Sequence, residues 1–237
     1  MADTERDTRL HRFEALAGSL AHEIRNPLST INITLQLLRE DLAERPGARE
    51  NADLRRVDVV LAEVRRLERI VQDFLRLARE PSLRLKTSDV NALVEDALAF
   101  LAPEYKAARI DVVSQLDRRV PATAVDDSLF RQAVLNLFRN AMQAMPAGGV
   151  VTVQTRAEDG AFVLDVIDTG VGMTPEVRER VFDVFFSTKP GGTGLGLSIV
   201  RQIVELHGGD VGCESVLGLG TRFSIRIPLA SIPEAGS

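Results

Sequence analysis

The first third of the chain carries apolar residues at helical spacing. Steps of three and four separate Leu28, Ile31, Leu35, Leu38 and Leu42, and a second series of the same kind runs over residues 57–78. This alternation predicts two helices with a coiled-coil or bundle seam. Pro46 and Gly47 interrupt the pattern, so the helices are expected to form an antiparallel hairpin. One hairpin buries little surface, and we expect two copies to associate through residues 13–79 as a dimeric four-helix bundle.

The pattern becomes mixed beyond residue 80. Residues 81–88 have no periodicity and are interpreted as a linker, after which Ser88 or Asp89 caps a helix running to about Leu101. Apolar and polar residues mostly alternate over 110–116, 150–155, 162–168 and 222–229, which predicts strands, whereas 127–144 and 195–207 are typical of helices. We therefore predict a two-layer α/β sandwich over residues 89–230, followed by a frayed tail at 231–237.

The composition narrows the classes of protein that fit this pattern. The chain has 237 residues, of which 45% are apolar and 27% charged, as in soluble globular domains. Its net charge of -5 argues against nucleic-acid binding. The single cysteine, Cys213, excludes an internal disulfide, and the N-terminus lacks the apolar segment of a secretory signal. No apolar run is long enough to span a membrane, so we expect a cytoplasmic protein.

Three glycine clusters follow one another in the second half of the chain, at 168–172, 191–196 and 218–220. Each stands at the edge of a predicted strand or helix. Glycine lets a backbone approach a ligand closely, and the second cluster opens into a helix whose free amides and dipole suit a phosphate. The P-loop pattern is missing, and the strand and ribose-binding acid of a Rossmann fingerprint are not placed as needed. The clusters indicate a nucleotide site of another type.

A pair of asparagines precedes these clusters. Asn136 and Asn140 are four residues apart in a predicted helix and therefore face the same way. Mg²⁺ prefers oxygen ligands and is often shared between one or two protein groups and phosphates, so an asparagine carbonyl is a reasonable ligand. Two surface amides without a ligand fit the same spacing equally well, and the spacing alone leaves both interpretations open.

Five segments resemble, in order, the N, G1, F, G2 and G3 elements of the ATP-binding domain of histidine kinases, a fold shared with gyrase and MutL. They read NLFRNA, DTGVGM, VFDVFFSTK, GGTGLGLSIV and GLGTRF. The resemblance implies that ATP and Mg²⁺ bind, that Asp168 hydrogen-bonds the adenine amino group, that Asn140 holds the metal and that Asn136 lies beside the phosphates. The other nucleotide-binding residues it implies are Gly170, Gly172, Lys189, Gly192, Thr193, Gly194, Leu195, Gly196 and Thr221.

Two further expectations follow from the same resemblance. Residues 173–191 would form a mobile lid anchored by Phe182, Phe185 and Phe186, in which Lys189 either reaches a phosphate or is a solvated charge. In related ATPases, a glutamate four residues before the metal-binding asparagine activates water, whereas this chain has Asn136 there. Asparagine cannot act as a base, so the γ-phosphoryl group needs another acceptor, for which a well-aligned side chain can suffice.

The chain has three histidines, and only His22 has neighbours that suit such an acceptor. We interpret His207, just before Gly208, as a helix cap and His11 as an ordinary surface residue. His22 stands in SLAHEIRNPL, which resembles the phosphoacceptor H box. The resemblance implies that Glu23 is the base in autophosphorylation and that Asn26 positions water when the kinase dephosphorylates a response regulator. Pro27 is expected to bend the helix beside the acceptor.

The resemblance covers about residues 13–228. It leads us to expect a sensor histidine kinase core that autophosphorylates on His22 and passes the phosphoryl group to an aspartate of a response regulator. Residues 1–12 would be the stub of an input linker, with the sensor domain absent or separate. Two alternatives are an ATPase or serine kinase of the same nucleotide fold, and a dimeric scaffold that binds a regulator without catalysis.

Overall fold

The computed structural model describes residues 24, 26–38, 40, 57–64, 67, 70–71, 83–189 and 192–229. His22 and Glu23 lie outside these residues. The described residues belong to two compact units. The first contains those before residue 80 together with Val184–Leu195, and the second contains Pro81–Asp183 and the chain from Gly196 onward.

The first unit is helical at the positions where the apolar series predicts helices. Helix α1 covers residues 26–38 and helix α2 residues 57–64, and positions 67, 70 and 71 are helical as well. The described parts of both helices expose apolar side chains in the single chain, with exposed fractions of 50% for Leu28, 47% for Leu35 and 46% for Leu61. No helix among the described residues combines the length and apolarity that crossing a membrane would require.

The described residues of the second unit form seven strands and four helices. The strands are β1 (Lys86–Ser88), β2 (Ile110–Leu116), β3 (Thr123–Val125), β4 (Gly149–Glu158), β5 (Ala161–Asp168), β6 (Asp210–Val216) and β7 (Gly220–Pro228). The helices are α3 (Val90–Ala107), α4 (Asp127–Ala144), α5 (Pro175–Arg180) and α6 (Gly196–Leu206). Five strands form one sheet in the order β2-β4-β5-β7-β6, in which only the β2–β4 pair is parallel, and β1 pairs with β3 separately.

The core lies between this sheet and the helices, as the two-layer prediction requires. Alternate residues of β5 and β7 are buried toward the helices, among them Phe162, Leu164, Phe223 and Ile225. Phe162 meets Phe130 of α4 edge to face, with ring centroids 5.8 Å apart. Helices α4 and α6 pack against each other and α3 packs against α4, so the layer is continuous.

Three features differ from the sequence predictions. Helix α3 runs six residues past the predicted end at Leu101, because Tyr105, one turn on, is also buried, and Pro103 removes only one backbone donor. Strand β1 occupies part of the predicted linker. It was not predicted because its pairing partner, β3, lies far from it in the sequence. The strands β3 and β6 and the short helix α5 were not predicted, because they are short or have weak alternation.

The predicted cap at His207 is confirmed. Helix α6 ends in a Schellman motif, in which the amide of Gly208 (φ +72°) donates to the Glu205 carbonyl and that of Gly209 to the Val204 carbonyl. The imidazole does more than the sequence indicates. Its Nδ1 lies 2.7 Å from the Ile203 carbonyl oxygen, and its Nε2 accepts the Asp126 amide at 3.0 Å. The ring therefore joins the end of α6 to the start of α4.

Candidate functional site

Helix α4 places Asn136 and Asn140 on one face of the second unit. The Asp126 carboxylate caps the helix by accepting the amides of Ser128 and Leu129 at 3.0 and 3.1 Å, and it also accepts the Arg84 amide at 3.0 Å. Burial opposes the ionisation of Asp126, but a hydrogen bond from the Ser128 hydroxyl together with those from the three amides outweighs it and holds the pKa below its ordinary value. The opposite face of α4 lies in the core, so the asparagines are fixed in position by packing.

The two asparagines are only partly buried, as a ligand would require. The amide Nδ2 of Asn136 donates to the Gly196 carbonyl at 3.2 Å and so joins α4 to the first residue of α6. With Nδ2 used in this way, the carbonyl Oδ1 of Asn136 remains an acceptor. Helix α4 has no carboxylate after Asp127, its first residue, so it offers no general base to activate water.

Asp168, the last residue of β5, is 2% exposed at the edge of the helix layer. Its Oδ1 accepts the Gly170 amide at 2.8 Å, which fixes the carboxylate in the turn that follows the strand. Burial raises the pKa of the Tyr105 phenol on α3. The nearby negative charges of Asp168 and Glu104 raise this pKa further. The Tyr105 hydroxyl donates to the Phe138 carbonyl at 3.0 Å, so Tyr105 secures α3 to α4 beside Asp168.

Glycines around Asp168 are required by close backbone contacts. A Cβ on Gly170 would stand 2.5 Å from the Ala144 carbonyl oxygen, and one on Gly172 (φ +63°) only 2.0 Å from that of Val216. A Cβ on Gly220 (φ +115°) would stand 2.0 Å from the Asp168 carbonyl oxygen. The first and third glycine clusters thus bring the β5 turn against the β6–β7 hairpin without side chains between them.

Thr221, directly after Gly220, pairs with Asp168 across β5 and β7 and is 6% exposed. Its Oγ1 lies 2.8 Å from the Oγ of Ser215 on β6. The structure therefore brings together Asp168, Gly170, Gly172 and Thr221 at one end of the sheet. Sequence reasoning missed Ser215 and Tyr105, which belong to none of the glycine clusters. The pairing of β6 with β7 is the signal that could have found Ser215.

The remaining predicted residues lie in and after the segment Val184–Leu195, which belongs to the first unit. Within it, the Gly192 amide donates to the Lys189 carbonyl at 3.1 Å and the Phe185 amide to the Gly194 carbonyl at 3.0 Å. Gly194 has φ +66°, and a Cβ there would stand 2.3 Å from the Phe185 carbonyl carbon. The Leu195 amide lies 3.4 Å from Thr193 Oγ1, and Leu195 is fully buried. Residues 192–195 of the second cluster are thus held by contacts with Phe185 and Lys189.

Phe182, one of the three predicted lid anchors, is packed within the second unit. Its ring meets Phe223 edge to face at 6.0 Å, and the Arg201 guanidinium lies 4.7 Å above it. Phe182 is 7% exposed. Of the residues predicted on the acceptor helix, Asn26 is described: it is helical and exposed, and its carbonyl accepts the Thr30 hydroxyl at 3.4 Å.

Comparison with known families assigns a class to each part of the chain. The profile of the "Histidine kinase-, DNA gyrase B-, and HSP90-like ATPase" family matches residues 125–231, so strands β4 to β7 and helices α4 to α6 belong to an ATP-binding domain of that class. The profile of the "His Kinase A (phospho-acceptor) domain" matches residues 14–82. With both domains in this order, the chain belongs to the two-component sensor histidine kinases.

Relatives of known function agree with this assignment. The signal transduction histidine-protein kinase AtoS of Escherichia coli strain K12 is 34% identical over 230 residues, which are 97% of this chain and 36% of AtoS. The sensor histidine kinase ZraS of Klebsiella oxytoca is 36% identical over 228 residues, which are 95% of this chain and 48% of ZraS. The chain therefore spans half or less of the length of these relatives.

Solved structures show the same fold. Histidine kinase ThkA, crystallised with response regulator protein TrrA, superposes with a TM-score of 0.79 at 26% identity over 97% of this chain and 66% of ThkA. Full-length ShkA in complex with AMPPNP gives a TM-score of 0.66 at 30% identity over 92% of this chain and 46% of ShkA. The predicted helical hairpin followed by an α/β ATP-binding domain is confirmed as a fold class.

Proposed function

We propose that this chain is the catalytic core of a sensor histidine kinase, in which His22 takes the γ-phosphoryl group of ATP. The observation that carries the proposal is the buried Asp168 carboxylate beside Gly170 and Thr221, in a domain whose helix α4 carries two asparagines and no base for water. Such a site would hold and align ATP, and helix α4 supplies no carboxylate that would activate water for hydrolysis. The phosphoacceptor family match at residues 14–82 supports a side-chain acceptor in this chain.

The residues present fit ATP and a magnesium ion. Asp168 would accept a hydrogen bond from the adenine amino group, and the N-terminal end of α6, an 11-residue helix, suits a phosphate. Among the described residues, no group of three His, Cys, Asp or Glu side chains could hold a metal. Asn140 Oδ1 is a neutral oxygen of the kind that suits Mg²⁺, and a bound Mg²⁺ would neutralise charge on the transferring group.

The transfer itself needs alignment, neutralisation of charge on the phosphates and a proton acceptor. A neutral His22 nitrogen would attack the γ-phosphorus while the bond to the oxygen that bridges to the β-phosphate breaks, so that ADP leaves with the electron pair. Glu23, next in sequence, would take the imidazole proton. An imidazole with its unperturbed pKa of about 6.5 is largely neutral and nucleophilic at pH 7.

Phosphohistidine would then be the donor to a response regulator. An aspartate carboxylate of the receiver domain would attack the phosphorus, forming an O–P bond as the N–P bond to His22 breaks. The crystallised complex of ThkA with a response regulator supports a partner of this kind for this chain. Asn26, exposed on α1, would position water for the reverse function, the dephosphorylation of the regulator.

Labelling with γ-labelled ATP and Mg²⁺ tests the acceptor. We expect acid-labile, base-stable label on the wild-type protein and none on His22→Ala, whereas the control His11→Ala keeps the label. Label retained in His22→Ala would refute the proposed acceptor. Phosphate release without labelled protein would favour the ATPase alternative, and the absence of both reactions with intact nucleotide binding would favour the scaffold.

Nucleotide binding tests the site independently of transfer. We expect Asp168→Asn and Asn140→Asp each to weaken ATP binding in the presence of Mg²⁺, as measured by calorimetry. Asp111→Asn is the matched control, because Asp111 is an exposed carboxylate on the edge strand β2. Unchanged affinity and autophosphorylation in both site variants would refute the assignment of these residues.

A further inference from the structure

Three polar side chains form a row across neighbouring strands at the end of the sheet. Asp168 of β5 is the register partner of Thr221 on β7, and Thr221 is in turn the partner of Ser215 on β6. Register partners project from the same face of a sheet, so all three side chains point toward the helix layer. Asp168 and Thr221 are buried and Ser215 is half-buried. The Thr221 hydroxyl thus lies between a carboxylate and a second hydroxyl.

The hydrogens of the two hydroxyls can be assigned from their partners. Ser215 Oγ lies 2.9 Å from the Gly220 carbonyl oxygen, which can only accept, so the single Ser215 hydrogen is used there. The 2.8 Å contact between Ser215 Oγ and Thr221 Oγ1 must then use the Thr221 hydrogen. Thr221 therefore donates to Ser215, and what it offers to any ligand beside Asp168 is a lone pair.

We propose that Ser215 is a positioning residue that holds the Thr221 hydroxyl as an acceptor and thereby selects purines with an amino group at C6. The inference rests on the proposed function, because it takes the pocket of Asp168 to be the base site of a nucleotide. An amino group donates two hydrogens and matches two acceptors, the Asp168 carboxylate and Thr221 Oγ1. A carbonyl at C6, as in hypoxanthine, would face two acceptors with no hydrogen between them.

Removal of the Ser215 hydroxyl frees the Thr221 hydrogen to turn toward the ligand. The variant should then lose part of its preference for adenine and tolerate a C6 carbonyl, with little change in the phosphate end of the site. One neutral hydrogen bond changes an equilibrium constant by about three- to tenfold. The affinity for ADP, divided by that for inosine diphosphate (IDP), whose base is hypoxanthine, should therefore fall by about that factor.

The experiment measures ADP and IDP binding to the full chain by calorimetry. Ser215→Ala and Ser215→Cys should both lower the affinity ratio. Ser215→Thr, which keeps a hydroxyl, should have the wild-type ratio. The cysteine variant has nearly the size of serine and guards against a folding defect in the alanine variant. Ser114→Ala, on the exposed edge strand β2, is the matched control and should leave the ratio unchanged.

A double variant separates positioning from a structural role. If Ser215 acts through Thr221, Ser215→Ala should have no further effect on the affinity ratio in a Thr221→Val background, whereas a general loosening of the hairpin would persist there. If the wild-type chain prefers ADP and both Ser215→Ala and Ser215→Cys keep its ratio of ADP to IDP affinity, this inference is overturned and the proposed function stands. A wild-type chain that binds neither nucleotide would overturn the proposed function, and this inference with it.

Discussion

Replacement of Gly220 by alanine should disable the nucleotide site through the backbone alone. Gly220 has φ +115°, a region that is costly for any residue with a Cβ, and its ideal Cβ would lie 2.0 Å from the Asp168 carbonyl oxygen. Gly218, two residues earlier, has φ +79° but no atom within 4 Å of its ideal Cβ. The pair of variants therefore shares backbone strain and differs in the contact with Asp168.

The structure sets the size of the effect. Cβ atoms essentially never approach other heavy atoms closer than 3.0 Å, so Gly220→Ala must separate β7 from the end of β5 by about 1 Å. A displacement of about 1 Å at a site residue can lower activity by about 100-fold. Gly218→Ala should cost about 1 to 2 kcal/mol of stability from the backbone conformation alone, without moving Asp168.

Calorimetry of ATP binding and thermal unfolding of both variants measure the two effects separately. We expect Gly220→Ala to lose most ATP affinity while remaining folded at low temperature, and Gly218→Ala to keep wild-type affinity with a lower melting temperature. Equal ATP affinities in the two variants would contradict this prediction, because the contact with Asp168 would then have no consequence. Gly160→Ala, at a distant turn with φ +71° and open space, is a second strain control.

Three further predictions concern stability, the regulator and assembly. Burial opposes the ionisation of Asp165, but hydrogen bonds from Arg222, Ser224 and Arg156 outweigh it and lower the pKa. Asp165→Asn should therefore lower the free energy of unfolding by about 2 kcal/mol at pH 7, a value that is discounted because the arginines are partly exposed. A carboxylate with a lowered pKa stabilises the fold above its ordinary pKa, so the difference in urea unfolding should shrink below about pH 4, and a constant difference would contradict it. Asn26→Ala should keep autophosphorylation but slow the dephosphorylation of a phosphorylated regulator, and equal rates would contradict its role. Light scattering at micromolar concentration should show a dimer formed through residues 13–79, and a monomer would contradict the bundle.

The parts of the fold that depend on local pattern were predictable. Strand β2 and helix α4 have the predicted bounds, because alternation and helical spacing are properties of consecutive residues. The end of α3 was not predictable in this way. Proline is normally a sign that a helix ends, and only the burial of Tyr105 against α4 explains why the helix continues past Pro103. Strand β1 likewise exists because β3 is there to pair with it.

The residues of the candidate site also fall into those that local sequence predicts and those that depend on distant contacts. Asp168 and the glycines stand in short segments whose motifs can be recognised one at a time, and close contacts with backbone carbonyl oxygens leave no room for a Cβ at Gly170, Gly172 and Gly220. Ser215 carries no such local sign, because its hydroxyl acquires a role only when β7 places Thr221 between it and Asp168. His207 is similar: its helix end is visible in the sequence, but its bond to the Asp126 amide spans 81 positions. Motifs therefore identified the residues that would contact a ligand. The residues that orient them are visible only once strand pairing and helix packing are known. Tests of Ser215 therefore examine a part of the site that the sequence resemblance does not identify.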